Sequence, residues 1–131
     1  MRLLLDTHIW LWSLGEPGKL SRRVKGALTR ASNELWISPI SVWELLILAE
    51  RGRVKLDDEP RRWVADALAR TPAQEAPLTF EVAVRSREVI LAHPDPADRF
   101  LVATALVYDL TLVTADDALI EAKVCPVLVN R

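Results

Sequence analysis

Four acidic residues each have an ordinary reason to exist and together could do chemistry: Asp6, Glu44, Asp98 and Asp116. Asp6 ends the run Leu3-Leu4-Leu5 and, taken alone, caps the helix after it. Glu44 lies between Trp43 and Leu45 in a segment with almost no polar face. Ser41-Val42-Trp43-Glu44 fits a capping box if the helix starts at Ser41. A start at Ser38-Pro39 instead puts Glu44 in the second turn, where an unpaired carboxylate among apolar side chains is costly. In Asp95-Pro96-Ala97-Asp98, Asp95 is the cap and Asp98 falls in the first turn, where the helix dipole favours an anion. The segment His93-Pro94-Asp95-Pro96 reads as a rigid turn, which suits a side chain that must be placed accurately. Asp116 follows Val113-Thr114 and reads alone as another N-cap; its neighbour Asp117 points elsewhere.

What these acids could do depends on whether they meet. Two carboxylates about 4 Å apart repel by roughly 4 kcal/mol at an effective dielectric of about 20. Three or four of them need a cation or a raised pKa. All-oxygen ligation favours a hard ion, Mg²⁺ or Mn²⁺. Neither histidine is required: His8 reads as a neighbour of the site and His93 as a loop residue.

The elements that must position them can be read from the apolar pattern. Residues 2–5 form a short apolar run, the signature of a buried central parallel strand. Ile9, Trp10, Trp12 and Leu14 suggest a short helix, broken at Gly15-Glu16-Pro17-Gly18. Ser21 caps an amphipathic helix carrying Val24, Ala27, Leu28 and Ala31. Residues 35–37 are the second strand. Ser38-Pro39 opens a helix to about Arg51, stopped by Gly52 and apolar nearly all round, so buried or covered by a partner. A helix from Asp58-Glu59-Pro60 to Thr71-Pro72 follows, then a short strand at 75–78 and a helix at 80–92. A helix at 96–108, a strand at 111–114, a helical turn at 116–120 and an edge strand at 127–129 complete the chain. Alternating strands and helices imply right-handed crossovers and a parallel sheet covered on both faces. Asp6, Glu44 and Asp116 then fall near the carboxyl edge, where open α/β sheets bind ligands. Asp98 joins them if its helix is a crossover running antiparallel to the strands.

The 131 residues fit one domain, 1–131, large enough to bury a core without staples. The lone Cys125 makes no internal disulfide and fits a reducing cytoplasm. No signal peptide is visible, since the first apolar run stops at Asp6. The most apolar window, 35–49, is interrupted by Pro39 and Glu44 and is too short to span a bilayer, so no membrane partner is expected. The formal net charge is −1, so any nucleic-acid contact must come from a local basic patch.

The ordered set Leu4-Leu5-Asp6-Thr7-His8, Ser41-Val42-Trp43-Glu44, Asp95-Pro96-Ala97-Asp98-Arg99-Phe100-Leu101-Val102-Ala103-Thr104-Ala105 and Leu112-Val113-Thr114-Ala115-Asp116 resembles a PIN-domain ribonuclease. In length the chain looks like the VapC-type toxins of type II toxin–antitoxin pairs. The resemblance covers essentially the whole chain. It implies an α/β/α sandwich around a central, mainly parallel sheet of four to five strands. It also implies Mg²⁺- or Mn²⁺-dependent hydrolysis of RNA phosphodiester bonds, a homodimer, and neutralisation by a cognate antitoxin protein. The acidic pocket of that family maps onto Asp6, Glu44, Asp98 and Asp116, with Thr114 and Thr7 in support. Asp6 and Asp98 are expected as primary metal ligands and Asp116 as a direct or water-mediated one. Glu44 is expected to orient water or bind a second ion. Arg99, Arg22, Arg23 and Arg51 are candidate phosphate contacts, with Lys25, Arg53, Arg61 and Arg62 beside them, although a solvated helix face accounts for most of these. Trp10 and Trp12 are the tryptophans expected to meet a base or a partner.

Two other readings compete. A phosphoacceptor receiver domain shows an acidic pair after strand one and Lys-Pro after a late strand; here Asp6 is followed by Thr7 and Lys123 by Val124. The alternative is a catalytically inactive PIN-like module that binds RNA or protein without cutting.

Overall fold

Three leucines at the amino terminus set the centre of the molecule. The computed structural model describes residues 1–92 and 95–131, so His93 and Pro94 of the expected rigid turn lie outside the described residues. Leu3, Leu4 and Leu5 form β1 (Arg2–Leu5) and are almost wholly excluded from solvent. Strands β2 (Glu34–Ile37), β3 (Ala73–Glu75), β4 (Thr111–Thr114) and β5 (Val127–Val129) complete a sheet ordered β3-β2-β1-β4-β5. Every pairing is parallel: Leu4 faces Trp36 in β2 and Leu112 in β4. Parallel pairing needs helical crossovers, and the chain supplies them. They are α1 (Thr7–Gly15), α2 (Arg22–Thr29), α3 (Pro39–Glu50), α4 (Pro60–Arg70), α5 (Phe80–Glu88), α6 (Pro96–Tyr108) and α7 (Asp117–Ala122).

The two-residue period of the strands divides the core into two layers. Leu3, Leu5, Leu35, Ile37, Val113 and Leu128 pack with Ile9, Trp10, Val24 and Leu45 on one face. Leu4 and Leu112 pack with Ala97, Leu101, Val102 and Leu119 on the other. The result is the α/β/α sandwich expected from the sequence, with all five strands parallel. The chain leaves β1 towards β2 and later returns to β1's other side as β4. That reversal opens a crevice at the carboxyl ends of β1 and β4.

The bounds of β3 and α5 differ from those expected. Strand β3 sits earlier than 75–78, because Pro77 has no N–H to give a ladder; the last bond on that side is Ala76 N–H to the Ile37 carbonyl. Helix α1 begins at Thr7, directly on the Asp6 cap that the sequence suggested. Helix α5 stops at Glu88, well short of 92. Val89 is extended there, and the last carbonyls of the segment turn to the Arg99 guanidinium. Among the described residues no helix is long and apolar enough to cross a membrane.

Candidate metal centre

The carboxyl ends of β1 and β4 are laced together by side chains. Asp6 is buried, and its Oδ1 accepts the Thr7 N–H at 2.7 Å. Its Oδ2 accepts the Thr114 hydroxyl at 2.6 Å. The same Thr114 oxygen accepts the Asp116 N–H at 3.0 Å, so one hydroxyl links both acids. Thr7 in turn donates its hydroxyl to Ser41 of α3 at 3.0 Å, tying the start of α1 to the helix that carries Glu44.

Each acid's local role is now fixed. Asp6 is the cap of α1, as its sequence position suggested, and it also faces the pocket. Helix α3 is capped by Ser38, whose oxygen accepts the Ile40 N–H. The capping-box alternative at Ser41 therefore fails, and Glu44 stands in the second turn without a capping duty. Asp95 caps α6 by accepting the Ala97 N–H at 2.9 Å, and Asp98 lies buried in its first turn. Asp116 caps α7 by accepting the Leu119 N–H at 3.2 Å. Capping and pocket-lining coexist, since an N-cap at the carboxyl edge of a parallel sheet faces the crevice.

Asp6, Glu44, Asp98 and Asp116 all line one pocket of about 330 Å³. Asp95 and His8 line it too, and no lysine or arginine does among the described residues. Asp95 is a fifth acid that the sequence reading gave only a capping role. The signal was present, since Asp95 and Asp98 are three apart and share a helix face. Like charges so close, away from solvent, alter titration. Burial pushes Asp98 up to about 8, reinforced by Asp95, Asp6, Asp116 and Glu44. Burial likewise raises Asp6 to about 6, opposed by the Thr114 hydrogen bond and helped by Glu44. Among the described residues no three acidic, histidine or cysteine side chains are already drawn together as a metal cluster. The carboxylates surround the space between them, as like charges do.

A model of the PIN domain family matches residues 3–124. The chain belongs to the PIN domain family. Ribonuclease VapC22 of Mycobacterium tuberculosis is 34% identical over 115 residues, covering 87% of this chain and 86% of that protein. Among solved structures, a chain of FitAB bound to an IR36 DNA fragment superposes with a TM-score of 0.71 at 21% identity, covering 98% and 94% of the two chains. A chain of VapBC2 from Rickettsia felis, bound to a promoter DNA fragment, gives 0.69 at 16% identity over 98% of each chain. At those identities the structural likeness speaks for the fold alone.

Other expected site residues of this PIN domain are placed differently. Arg99 does not face the pocket. Its Nε donates to the Ser86 carbonyl at 3.0 Å, Nη2 to Val89 at 2.8 Å and Nη1 to Leu91 at 3.4 Å. Three of its five N–H groups go to backbone carbonyls, so in this structure Arg99 is an internal strap and does not line the acidic pocket. Arg22 and Arg23 are exposed and border a separate hollow with Met1 and Asn33. Arg51 follows α3, about 10 Å of helix axis beyond Glu44 at ~1.5 Å per residue. None of these three lines the acidic pocket. Trp10 is also corrected: it is wholly buried, and its indole N–H donates to Thr71 at 3.0 Å, so it is core. Trp12 lines the pocket and is the tryptophan that can meet a ligand.

Proposed function

We propose that this chain, acting as one PIN-like domain over 1–131, is an endoribonuclease. It hydrolyses RNA phosphodiester bonds with a divalent cation, Mg²⁺ or Mn²⁺, in the cytoplasm. The observation that carries the reading is the pocket lined by five carboxylates and, among the described residues, by no lysine or arginine. The 34% identity to a protein named as a ribonuclease supports it.

The donor set fits a hard divalent ion. Every acid offers oxygen, and Asp6 and Asp98 are both held above the usual carboxylate range. Asp6 and Asp98 would be its ligands, with Asp116 bound directly or through water and Glu44 orienting water or holding a second ion. When bound, the ion supplies Lewis acidity toward phosphoryl oxygens and a water of lowered pKa. The chain supplies position. Thr114 and the Thr7 N–H fix both Asp6 oxygens. The Asp95 cap and Pro96 set the start of α6 that carries Asp98, and the Thr7–Ser41 bond holds α1 against α3. The pocket keeps all four acids, which favours catalysis over the inactive binding module.

The toxin role follows the same relatives. A VapBC structure is named as one of a family of toxin–antitoxin systems, the VapBC2 and FitAB structures are DNA-bound by name, and this chain is read as the toxin partner, with a cognate antitoxin and a second copy of itself. Helix α3 leaves Trp43 half-exposed, consistent with a covering partner. The test is cleavage of a structured RNA with Mg²⁺ or Mn²⁺, with and without chelator, by wild type and Asp6→Asn. Cutting that needs the metal and is lost in the variant is expected. Cutting that ignores chelator, or persists in Asp6→Asn, sinks the reading. Induced expression should arrest growth, and co-expression of the antitoxin should relieve it.

A further inference from the structure

The acidic pocket has a basic neighbour. Helix α1, the turn at Pro17–Lys19, the α3–α4 connection and α4 enclose a trough of about 670 Å³, twice the volume of the acidic pocket. Lys19, Arg53, Lys55 and Arg70 line it, against the two carboxylates of Glu16 and Asp57. His8 and Trp12 line both spaces. In a chain of net charge −1, this is a sharp local separation of sign across one turn of helix.

Three of the four cations are available. Lys19 pairs with Glu16 at 3.0 Å and lies 5.6 Å over the Trp12 ring. Arg53, Lys55 and Arg70 are exposed and have no ion-pair partner among the described residues. A stretched polyanion suits this arrangement better than a small ligand. The phosphate being cut needs the acids and their ion. The phosphates on either side receive no charge from that ion and need cations of their own. The rings between the two spaces provide the third element. His8 and Trp12 lie 5.8 Å apart at a 54° tilt. Lys19 covers the trough side of Trp12, whereas His8 is exposed and can take a base on its face.

Resting on the nuclease reading of the acidic pocket, we infer that this trough seats the phosphates of a single-stranded RNA on one side of the scissile bond. The base at the crossing stacks on His8, against the Trp12 wall. Arg53, Lys55 and Arg70 set affinity for the strand and leave the bond-breaking step alone.

The experiment is binding of a fluorescein-labelled twelve-residue oligouridylate by anisotropy, in chelator so that nothing is cut, at a series of salt concentrations. Wild type is compared with His8→Ala, Lys55→Glu and the triple variant Arg53→Ala/Lys55→Ala/Arg70→Ala. All four positions are exposed, and melting curves confirm folding. The triple variant should bind at least about tenfold more weakly. Its log–log salt slope should be shallower by about 2, the ~0.7 per single-strand phosphate contact summed over three cations. Lys55→Glu should weaken binding in the same sense, and His8→Ala should weaken it without changing the slope. With metal, KM for RNA should rise in the triple variant while kcat stays within about twofold. Wild-type affinity and slope in the triple variant overturn the trough, even if the wild type cleaves RNA normally. Absence of salt-dependent RNA binding by the wild type overturns it as well. So does loss of poly-glutamate binding with RNA affinity unchanged, which would give the trough to an acidic protein. Loss of RNA affinity in the triple variant stands as support even if no metal yields cleavage, in which case it is the nuclease reading that fails.

Discussion

The Thr114 hydroxyl donates to Asp6 Oδ2 at 2.6 Å across the boundary between β1 and β4, and both residues are buried. Asp6 cannot rotate away from the pocket without breaking this bond and the one from the Thr7 N–H. The bond also counters the burial that raises the acid's pKa. Thr114→Val keeps the shape and removes the donor. It should raise the Asp6 pKa further and weaken metal affinity or activity by about 10–100-fold, the usual effect of losing a group that orients a ligand. Thr114→Ser should restore most of it. Metal titration and the pH profile of cleavage check this; wild-type metal affinity in Thr114→Val would remove Thr114 from the site's support.

Asp98 makes a prediction about pH. Its carboxyl rises from 3.8 to about 8 on folding, chiefly by burial. Between those values the folded chain holds a proton that the unfolded chain has released, so stability falls as pH rises across the window. The metal-free protein should therefore melt higher at pH 5 than at pH 8. Asp6, raised to about 6, adds to the lower part of the same slope. Asp98→Asn should flatten the slope and stabilise the metal-free protein at pH 8. Mg²⁺ or Mn²⁺ should raise the wild-type melting temperature most at pH 8 and should not do so for Asp98→Asn. Melting curves with chelator that are flat from pH 5 to 8 would contradict the burial of Asp98.

Glu44 tests the helix register. With the cap at Ser38, its carboxylate contributes nothing to helix initiation. Glu44→Gln should leave the unfolding free energy within about the ±0.5 kcal/mol typical of substitutions away from special features. It should still lower kcat by at least about tenfold, in the range of a positioned acid or base. A capping-box role would give the reverse pattern, a loss of stability with activity retained.

How much of this was legible beforehand depended on whether a residue's environment was local. Leu3 to Leu5 announced a central strand because three apolar residues ending in a turn residue have few other uses. The acids were legible because each sits at the junction of a strand and a helix, and a parallel sheet gathers such junctions on one edge. Asp95 was missed as a pocket residue because its cap role already accounted for it. The partners of Arg99 and Trp10 were not legible because they are distant in sequence: the carbonyls of Ser86, Val89 and Leu91 for one, the Thr71 hydroxyl for the other. Nothing in a local pattern encodes a pairing of that kind. The basic trough was only partly visible. Arg53 was among the candidates, but Lys19, Lys55 and Arg70 come from three separate elements that only the fold brings together.

Arg99 carries the last prediction. It sits next to Asp98 in the first turn of α6 and reaches back to three carbonyls at and beyond the end of α5. Those carbonyls have left the helical ladder and need donors. The strap thus joins the end of α5 to the turn that presents Asp95 and Asp98. Arg99→Ala leaves the carbonyls without their charged donor. It should cost about 2–3 kcal/mol, given charge-assisted bonds of roughly 1.5–3 kcal/mol each and partial rescue by water. Arg99→Lys should recover only part, because an ammonium cannot reproduce the guanidinium fork. Since Arg99 holds backbone, the salt slope of RNA binding should be the same as in wild type, whereas a phosphate contact would make it shallower by about 0.7. A stable Arg99→Ala with a shallower slope would return Arg99 to the nucleic-acid surface. A destabilised one with an unchanged slope would fix it as the strap that holds Asp98 in place.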